Sequence, residues 1–484
     1  MTFNSIPFLI FYPIVLLLYF ILPKKIRWIM LLVASYFFYA FYSPELLFLI
    51  IGTTLVSWLC ANLIEKSQKR GVRALALAIT LVVSLGTLFF FKYFDFLSKS
   101  FFATLSIFGY AGDPILLNLV LPVGISFYTF QTLSYVIDVY RGDVQTEKNF
   151  FFYALFVSFF PQLVAGPIER PGNLIPQLKA DNKWNKDNAI KGAKQMLLGF
   201  FKKVCVADLV GGAVNSIYNN PSEATSLGIV IATVLFSVQI YCDFSGYTDI
   251  ATGCARIMGI RLMKNFDHPY RAATIKEFWA RWHISLSGWF RDYLYIPLGG
   301  SRKGKFRHLL NIFIVFLASG IWHGANWTFI IWGILHAVYQ IFGTLTIGLR
   351  NKLIRCMKLS ENSFAVRLVR RIITFVLVAV SWLAFRANSL GDMWVLIKRL
   401  FTFTGAGFAP TFEIMGLNLV SVLAVIFAIA IMIMMDNLVG YEDKDGSAAI
   451  VKGGAVFYFI FVVALVWLLI ASRDAASSFI YFAF

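Results

Sequence analysis

Long apolar runs alternate with short polar loops along most of the chain. Because a helix needs about 20 residues to cross roughly 30 Å of hydrocarbon, each run predicts a membrane-spanning helix. About twelve spans are expected, at Ile6–Leu22, Trp28–Tyr42, Leu46–Leu63, Ala74–Phe91, Ile115–Tyr135, Val204–Ile217, Leu227–Tyr241, Leu309–Trp322, Trp327–Ile347, Ile372–Phe385, Gly416–Met435 and Gly454–Ala471. The pattern therefore predicts an all-α, polytopic integral membrane protein with about 11–13 transmembrane helices.

Two stretches depart from this alternation. Phe150–Gly166 leads into a segment whose prolines, at 161, 167, 171 and 176, are too closely spaced for a continuous helix. Irregular backbone survives at membrane depth only inside protein or along a cavity, so we expect a re-entrant or broken segment here. Lys179–Lys203 is basic and carries apolar residues at helical spacing, which predicts an amphipathic helix at the cytoplasmic interface.

Composition agrees with a membrane protein, since 59% of the residues are hydrophobic, 14% are charged and the mean hydropathy is +0.73. The net charge of +18 is also found in nucleic-acid-binding proteins, but the basic residues lie mainly in short loops. Residues 255–308 alone hold eleven Lys/Arg and three Asp/Glu. This distribution is typical of cytoplasmic loops near anionic headgroups and places the N-terminus outside the cytoplasm. We therefore expect the lipid bilayer, and no nucleic acid, as a partner; the basic side would also attract a phosphate-rich acyl carrier.

Several other classes of protein find no support. The five cysteines, Cys60, Cys205, Cys242, Cys254 and Cys356, are scattered without a CxxC pair, so neither a disulfide framework nor a metal site is expected. The chain has no GxxxxGK[ST], HExxH or GxSxG motif of P-loop ATPases, zinc proteases or α/β-hydrolases. The first apolar run lacks a basic leader and a small-residue cleavage site, so we expect a retained helix.

His323 is the strongest candidate for catalysis, because it follows an apolar run and precedes Gly324 and Asn326. A histidine at membrane depth is a functional-site candidate, although it can also serve packing or proton relay. Acyl transfer to an alcohol needs a base of near-neutral pKa and donors for the developing oxyanion. His323 fits the first requirement, and Asn326 or the backbone near Gly324 fits the second.

The other histidines have weaker local support. On a continuous helix, Trp279, His283 and Ser287 would share one face, where they could orient a polar ligand or hold a helix in place. His268 and His308 lie in a polar, basic stretch where solvation alone explains them. His336 lies in an apolar run and could simply bind a neighbouring helix.

Two motifs resemble the membrane-bound O-acyltransferases, in particular their alginate O-acetyltransferase branch. They are FWARWHISLSGWFRDYLYIPLGG at Phe278–Gly300 and GIWHGANWTFIIWG at Gly320–Gly333. Supporting matches lie at Pro122–Gly142, Phe160–Pro171, Gly199–Asp208, Tyr241–Ile260 and Phe479–Phe484. The resemblance covers nearly the whole chain and implies one transmembrane domain, 1–484, with N-terminal helices (1–110), a core (111–347) and C-terminal helices (348–484).

The resemblance also implies a function and a set of site residues. His323 matches the essential histidine of the family's WHG motif, and His283 matches the histidine of its WHxSLS motif. Acetyl groups from cytoplasmic acetyl-CoA would be passed across the inner membrane to an extracytoplasmic polysaccharide, commonly with an SGNH-type partner protein. We expect His323, His283 and Asn326 in catalysis and Trp282, Ser287 and Arg291 at the donor-binding side.

Two alternatives remain open at this point. Enzymes that D-alanylate teichoic acid have a similar architecture but take their acyl group from a carrier protein. Lipid acyltransferases are a further variant. A non-catalytic transporter of acyl groups or lipid-linked sugars is expected to carry inverted repeats and paired charges in several spans. Neither feature is visible in the sequence.

Overall fold

The computed structural model describes residues 1–41, 44–164, 166–361, 363–403, 407–440, 450–451, 462 and 466. The first half of the chain forms helices α1 (Ile6–Ile21), α2 (Lys24–Ala40), α3 (Leu47–Lys66), α4 (Arg70–Leu88), α5 (Phe94–Ile107), α6 (Ile125–Arg141), α7 (Phe150–Ser158), α8 (Phe160–Leu163), α9 (Pro171–Lys179), α10 (Lys186–Phe200) and α11 (Asp208–Asn219). A 3₁₀ turn at Pro44–Leu46 precedes α3.

The second half forms α12 (Ser226–Ile257), α13 (Ile275–Arg281), α14 (Ile284–Phe290), α15 (Lys305–His323), α16 (Trp327–Leu345), α17 (Ile347–Cys356), α18 (Phe364–Arg386), α19 (Leu390–Phe401), α20 (Phe408–Ile414) and α21 (Leu419–Leu438). A 3₁₀ turn covers Pro269–Arg271. Strands β1 (Val439–Gly440) and β2 (Ile450–Val451) pair antiparallel over two residues each. The protein is therefore all-α, as the apolar pattern predicts.

Seven helical segments within the described residues are long and apolar enough to cross a membrane. They are Pro44–Lys66, Arg70–Ile107, Ser226–Ile257, Lys305–His323, Trp327–Leu345, Phe364–Arg386 and Leu419–Asp436, and the apolar helix Ile6–Ile21 is slightly shorter. The protein is thus a multi-pass membrane protein. The predicted span Gly454–Ala471 lies outside the described residues apart from Val462 and Val466, so the total of about twelve spans stays a prediction.

The predicted span Ile115–Tyr135 is wrong in its first half. Residues 111–122 form no helix, and α6 begins only at Ile125, after Pro122 and Gly124. Gly124 has φ +74°, a left-handed conformation that glycine adopts without penalty, and a Cβ there would overlap the carbonyl of Leu163. An apolar run alone does not specify a helix, and here proline and glycine delay it.

Other boundaries shift for similar local reasons. The predicted span Ala74–Phe91 continues through a π-helical segment, Phe89–Tyr93, into α5, so one helical run extends from Arg70 to Ile107. The predicted span Val204–Ile217 is instead shared between a second π-segment, Phe201–Ala207, and the twelve-residue α11. This π-segment joins α10 to α11 without a break, so Val204–Ile217 lies inside one longer helical run, residues 186–219.

The broken segment is confirmed. Helix α7 ends at Ser158, and the four-residue α8 follows Phe159, whose φ of −50° and ψ of 110° interrupt the helix. Pro161 cannot donate a backbone hydrogen bond, which explains why α7 does not continue. Residues Phe152 to Leu163 are buried, so this irregular backbone is enclosed by protein.

The described residues divide into two compact units. The first comprises Met1–Leu197 with Tyr247–Met263, and the second comprises Leu198–Gly246 with 264–440, 450–451, 462 and 466. All five histidines of the chain belong to the second unit. The candidate site therefore lies within one unit.

In the second unit, α15 and α16 cross with their backbones in contact. A Cβ on Gly320 of α15 would lie 2.5 Å from the carbonyl oxygen of Phe329, and one on Gly333 of α16 would overlap that of Phe316. Small residues at membrane helix crossings permit this close approach. Because Gly320 is one turn before His323, the crossing fixes His323 relative to α16.

Candidate active site

His323 is the last residue of α15, where the chain turns towards α16. Gly324 follows with an extended backbone, φ −170° and ψ 159°, which ends the helix. A Cβ on Gly324 would overlap the ring of Phe329, so glycine is required here for space and not for its backbone angles. The WHG sequence thus corresponds to a helix end covered by an aromatic ring.

Aromatic rings of the described residues pack against the imidazole of His323. Its centroid lies 4.7 Å from Trp332, 5.0 Å from Trp322 and 5.4 Å from Phe385, each in an edge-on arrangement. The side chain is 3% exposed. Such an environment keeps bulk water away from the imidazole, which suits a base in an acyl transfer where hydrolysis competes.

Asn326 caps the N-terminus of α16. Its Oδ1 accepts a hydrogen bond from the Thr328 N–H at 3.1 Å, and its Nδ2 donates to the carbonyl of Asn388 at 2.8 Å. The amide therefore fixes the start of α16 and joins it to the loop between α18 and α19. One N–H of Nδ2 is left for the oxyanion role expected from the sequence, which stays a prediction.

The expected common helix face of Trp279, His283 and Ser287 is wrong. Helix α13 ends at Arg281, and α14 begins at Ile284. Trp282 is extended, with φ −105° and ψ 129°, and His283 adopts a left-handed conformation with φ 43°. The two intervening residues break the helical periodicity on which the expectation depended.

His283 is nevertheless held in one orientation inside the protein. It is 1% exposed, and its Nδ1 lies 3.1 Å from Oδ1 of Asn265. The same oxygen accepts hydrogen bonds from Ser285 Oγ at 2.8 Å and from the Ser285 N–H at 3.3 Å. Because a carbonyl oxygen only accepts, Nδ1 of His283 carries the proton in this contact. Burial lowers the pKa of His283 to about 3, so the imidazole is neutral at physiological pH.

The two histidines of the motifs contact the same indole. The ring centroid of Trp322 lies 5.0 Å from that of His323 and 6.0 Å from that of His283. Phe244 covers another side of His283 at 4.7 Å. The structure therefore brings His323 and His283 into one aromatic cluster.

The three residues expected at the donor side lie in different environments. Trp282 is fully buried, with Phe278 stacked on it at 5.6 Å and Trp382 at 5.2 Å. Ser287 is half-buried and its Oγ donates weakly to the Trp282 carbonyl at 3.4 Å. Arg291 is exposed and pairs with Asp292 at 2.8 Å. Trp282 thus belongs to the core, while only Arg291 is freely accessible.

His336 completes a chain of structural hydrogen bonds. Its Nδ1 accepts from Nε1–H of Trp279 at 3.2 Å, since an indole can only donate. Its Nε2 must then carry the proton and donate to Ser381 Oγ at 2.9 Å, which donates onward to the Val378 carbonyl at 2.7 Å. This arrangement ties α13 and α16 to α18 and explains a buried histidine without chemistry.

A group of buried charges was not foreseen. Lys203, in the second π-segment, lies 2.7 Å from carboxylate oxygens of both Asp208 and Asp243, and all three side chains are at most 3% exposed. Nearby along the chain, Lys202 lies 3.6 Å from Asp436, which accepts from the Tyr241 hydroxyl at 2.8 Å. Buried charges need such partners. The sequence offered only the crowding of polar residues near Asp243 as a signal.

Asn265 is the other residue missed from the sequence. It lies between α12 and α13, and its contact with His283 joins positions eighteen residues apart. Among the residues that the structure describes, there is also no cluster of three His, Cys, Asp or Glu side chains suited to a metal ion. The polar side chains at this site supply imidazole, amide and hydroxyl groups.

Comparison with known proteins gives this geometry a context. A family model described as "MBOAT, membrane-bound O-acyltransferase family" matches residues 37–383. The chain is 38% identical over 410 residues to "Probable alginate O-acetylase AlgI" of Pseudomonas aeruginosa, covering 83% of this chain and 75% of that protein. It is 33% identical over 438 residues to "Peptidoglycan O-acetyltransferase" of Helicobacter pylori, covering 82% and 78%. It is 32% identical over 237 residues to "Teichoic acid D-alanyltransferase" of Bacillus subtilis, covering 46% and 58%.

Proposed function

Because this chain belongs to the membrane-bound O-acyltransferase family and is an O-acyltransferase, we propose that it transfers acetyl groups from cytoplasmic acetyl-CoA to an extracytoplasmic polysaccharide. The enzyme would lie in the inner membrane and act on the polysaccharide directly or through an SGNH-type partner protein. The relatives named as acetylating alginate and peptidoglycan support a glycan acceptor. The proposal depends most on one observation, the burial of His323 among three aromatic rings at the end of α15.

In the proposed reaction, His323 is the general base. It takes the proton of the acceptor hydroxyl while the hydroxyl oxygen attacks the carbonyl carbon of the thioester. The C–S bond then breaks, and the imidazolium returns the proton to the thiolate, so the products are an acetyl ester and free CoA. His283, fixed as its Nδ1–H form by Asn265, would orient the donor side together with Ser287. Asn326, which caps α16, would offer its second N–H to the developing oxyanion.

The basic region between α12 and α15 is the proposed side of entry for the donor. Residues 255–308 carry the excess of Lys and Arg noted above, and the phosphates of CoA are polyanionic. Exposed Arg291 is suited to a phosphate contact, since guanidinium groups bind phosphate oxygens in pairs. Ser287 on α14 and Trp282 just before it would contribute to the donor side by fixing the conformation of the segment that leads to Arg291.

A second acyl donor is favoured by one specific finding. The similarity to the Bacillus subtilis protein named as a teichoic acid D-alanyltransferase supports a carrier-bound alanyl group as the competing donor. The test supplies purified protein in detergent with either labelled acetyl-CoA or a D-alanyl-loaded carrier protein. We expect release of CoA and label transfer to a hydroxyl acceptor with acetyl-CoA only. Transfer from the carrier alone would replace the proposed donor.

A further inference from the structure

The side-chain amide of Asn265, beside His283, has an N–H donor without a hydrogen-bond partner among the described residues. Asn265 is 2% exposed, and its Oδ1 accepts three hydrogen bonds, from His283 Nδ1, Ser285 Oγ and Ser285 N. This set of donors fixes the amide orientation, because a flipped amide would direct its NH₂ group at the Ser285 N–H. Nδ2 therefore points away from these partners, and it has no hydrogen-bond partner among the residues that the structure describes.

An unpaired amide donor in the protein interior is energetically costly. Burying such a group without a partner destabilises the folded state, because its hydrogen bonds to water are lost and not replaced. Exceptions are found at functional sites, where a ligand supplies the missing acceptor. Other buried side-chain atoms among the described residues also lack a partner; Asn265 is distinguished by its position, since its amide contacts His283, which packs on Trp322 next to His323.

The backbone around Asn265 holds the amide rigidly. The Asn265 carbonyl accepts from the Ile284 N–H at 2.9 Å, and the Asp267 N–H donates to the Arg281 carbonyl at 2.9 Å. The loop is thus joined, at Asn265 and again two residues later, to the end of α13 and the start of α14. A donor fixed in this way loses little freedom when it meets a developing charge, which is the requirement for an oxyanion site.

Asn326 is less suited than Asn265 to donate a hydrogen bond to an oxyanion. Its Oδ1 and one N–H already serve the cap of α16 and the Asn388 carbonyl, and its side chain is only half-buried. Asn265 has both Nδ2 hydrogens uncommitted among the described residues and is almost fully buried. The stronger electrostatic effect is expected from the donor that is better shielded from water.

We propose that Asn265 Nδ2 donates a hydrogen bond to the carbonyl oxygen of the acyl thioester and stabilises the oxyanion formed on it. This rests on the proposed acyl transfer from a thioester. As the acceptor oxygen attacks the carbonyl carbon, the C=O electron pair moves onto the oxygen beside Nδ2 while His323 takes the hydroxyl proton. When the C=O bond re-forms, the C–S bond breaks and the thiolate receives that proton.

The first test measures the carbonyl itself. Isotope-edited infrared spectra of ¹³C-acetyl-CoA are recorded with detergent-purified His323→Ala, which the proposed mechanism leaves unable to consume the thioester. We expect the bound carbonyl stretch at lower frequency than in His323→Ala/Asn265→Asp. Aspartate keeps the acceptor for His283 and Ser285 but replaces the NH₂ donor with an oxygen. The matched control, His323→Ala/Ser285→Ala, removes one partner of Oδ1 and leaves Nδ2, so its spectrum should stay at the lower frequency.

The effect of Asn265→Asp on the rate of acetyl transfer is then measured. In the otherwise native protein, Asn265→Asp should lower kcat by about 10²–10³-fold with little change in KM, the loss typical of one missing oxyanion donor. If the aspartate variant fails to fold, Asn265→Ala, which also lacks the donor, is measured in its place. Identical carbonyl frequencies in the donor-lacking and parent proteins would overturn the inference and leave the proposed function intact. Failure of acetyl-CoA to bind at all would instead refute the proposed function.

Discussion

The contact between α15 and α16 at Gly320 and Gly333 leads to a direct prediction for Gly333→Ala. The new Cβ would overlap the carbonyl oxygen of Phe316, while an ordinary contact needs a separation of about 3.5 Å. The helices would have to part by about 1 Å. Overpacking of this kind costs about 1–3 kcal/mol, partly offset by the better helix propensity of alanine, about 1 kcal/mol.

The activity should suffer more than the stability. His323 is one turn from Gly320, and a misplacement of about 1 Å at reacting groups can lower the rate about 10²-fold. The matched control is Gly343→Ala on the same helix, where only Arg350 Nη2, at 3.9 Å, is near the new Cβ. We expect Gly343→Ala to be as active as the native enzyme and Gly333→Ala to release CoA about 10²-fold more slowly. Native activity in a folded Gly333→Ala would refute the claim that this crossing positions His323.

Three further predictions follow from individual side chains. Asn326→Ala should have a free energy of unfolding about 1 kcal/mol lower than Asn326→Ser, because serine keeps a capping oxygen while both variants lose the bond to the Asn388 carbonyl; equal thermal stability of the two variants would contradict the capping role. Ser381→Ala should lower the free energy of unfolding by about 1–3 kcal/mol because His336 Nε2–H is left unpaired. Turnover per folded molecule should stay unchanged. A loss of turnover without a loss of stability would mean that His336 takes part in chemistry. His283 has a pKa of about 3 when folded and 6.5 in its reference state, so the unfolded chain binds the extra proton, and the free energy of unfolding should fall by about 2 kcal/mol from pH 7 to pH 5. His283→Gln should flatten that slope, and an unchanged slope would show that another group is responsible.

Sequence patterns predicted the membrane class because long apolar runs are a local signal, whereas the helix face expected for His283 is wrong. Apolar runs predicted the spanning helices, and the broken segment followed from the spacing of Pro161 and its neighbours. His323 stood out as a polar residue within an apolar run. These features depend on residues close together in the chain.

The parts that could not be predicted depend on contacts between distant residues or on backbone conformations without a pattern. Trp282 and His283 adopt non-helical conformations, although Trp279, His283 and Ser287 recur at helical spacing in the sequence. Asn265 could not be recognised from the sequence because its hydrogen bond with His283 joins residues eighteen positions apart. Lys203 resembles any other basic residue in sequence, and its two carboxylate partners lie on α11 and α12.

The assignment of His323 as the general base is tested most directly by the release of CoA. Release from labelled acetyl-CoA is measured for the purified wild-type protein and for His323→Ala, at matched folded concentration and with a hydroxyl acceptor present. We expect release by the wild-type protein and a rate lower by several orders of magnitude in the variant, since the base is then missing. Equal rates of release from the two proteins would contradict the assignment of His323 as the base.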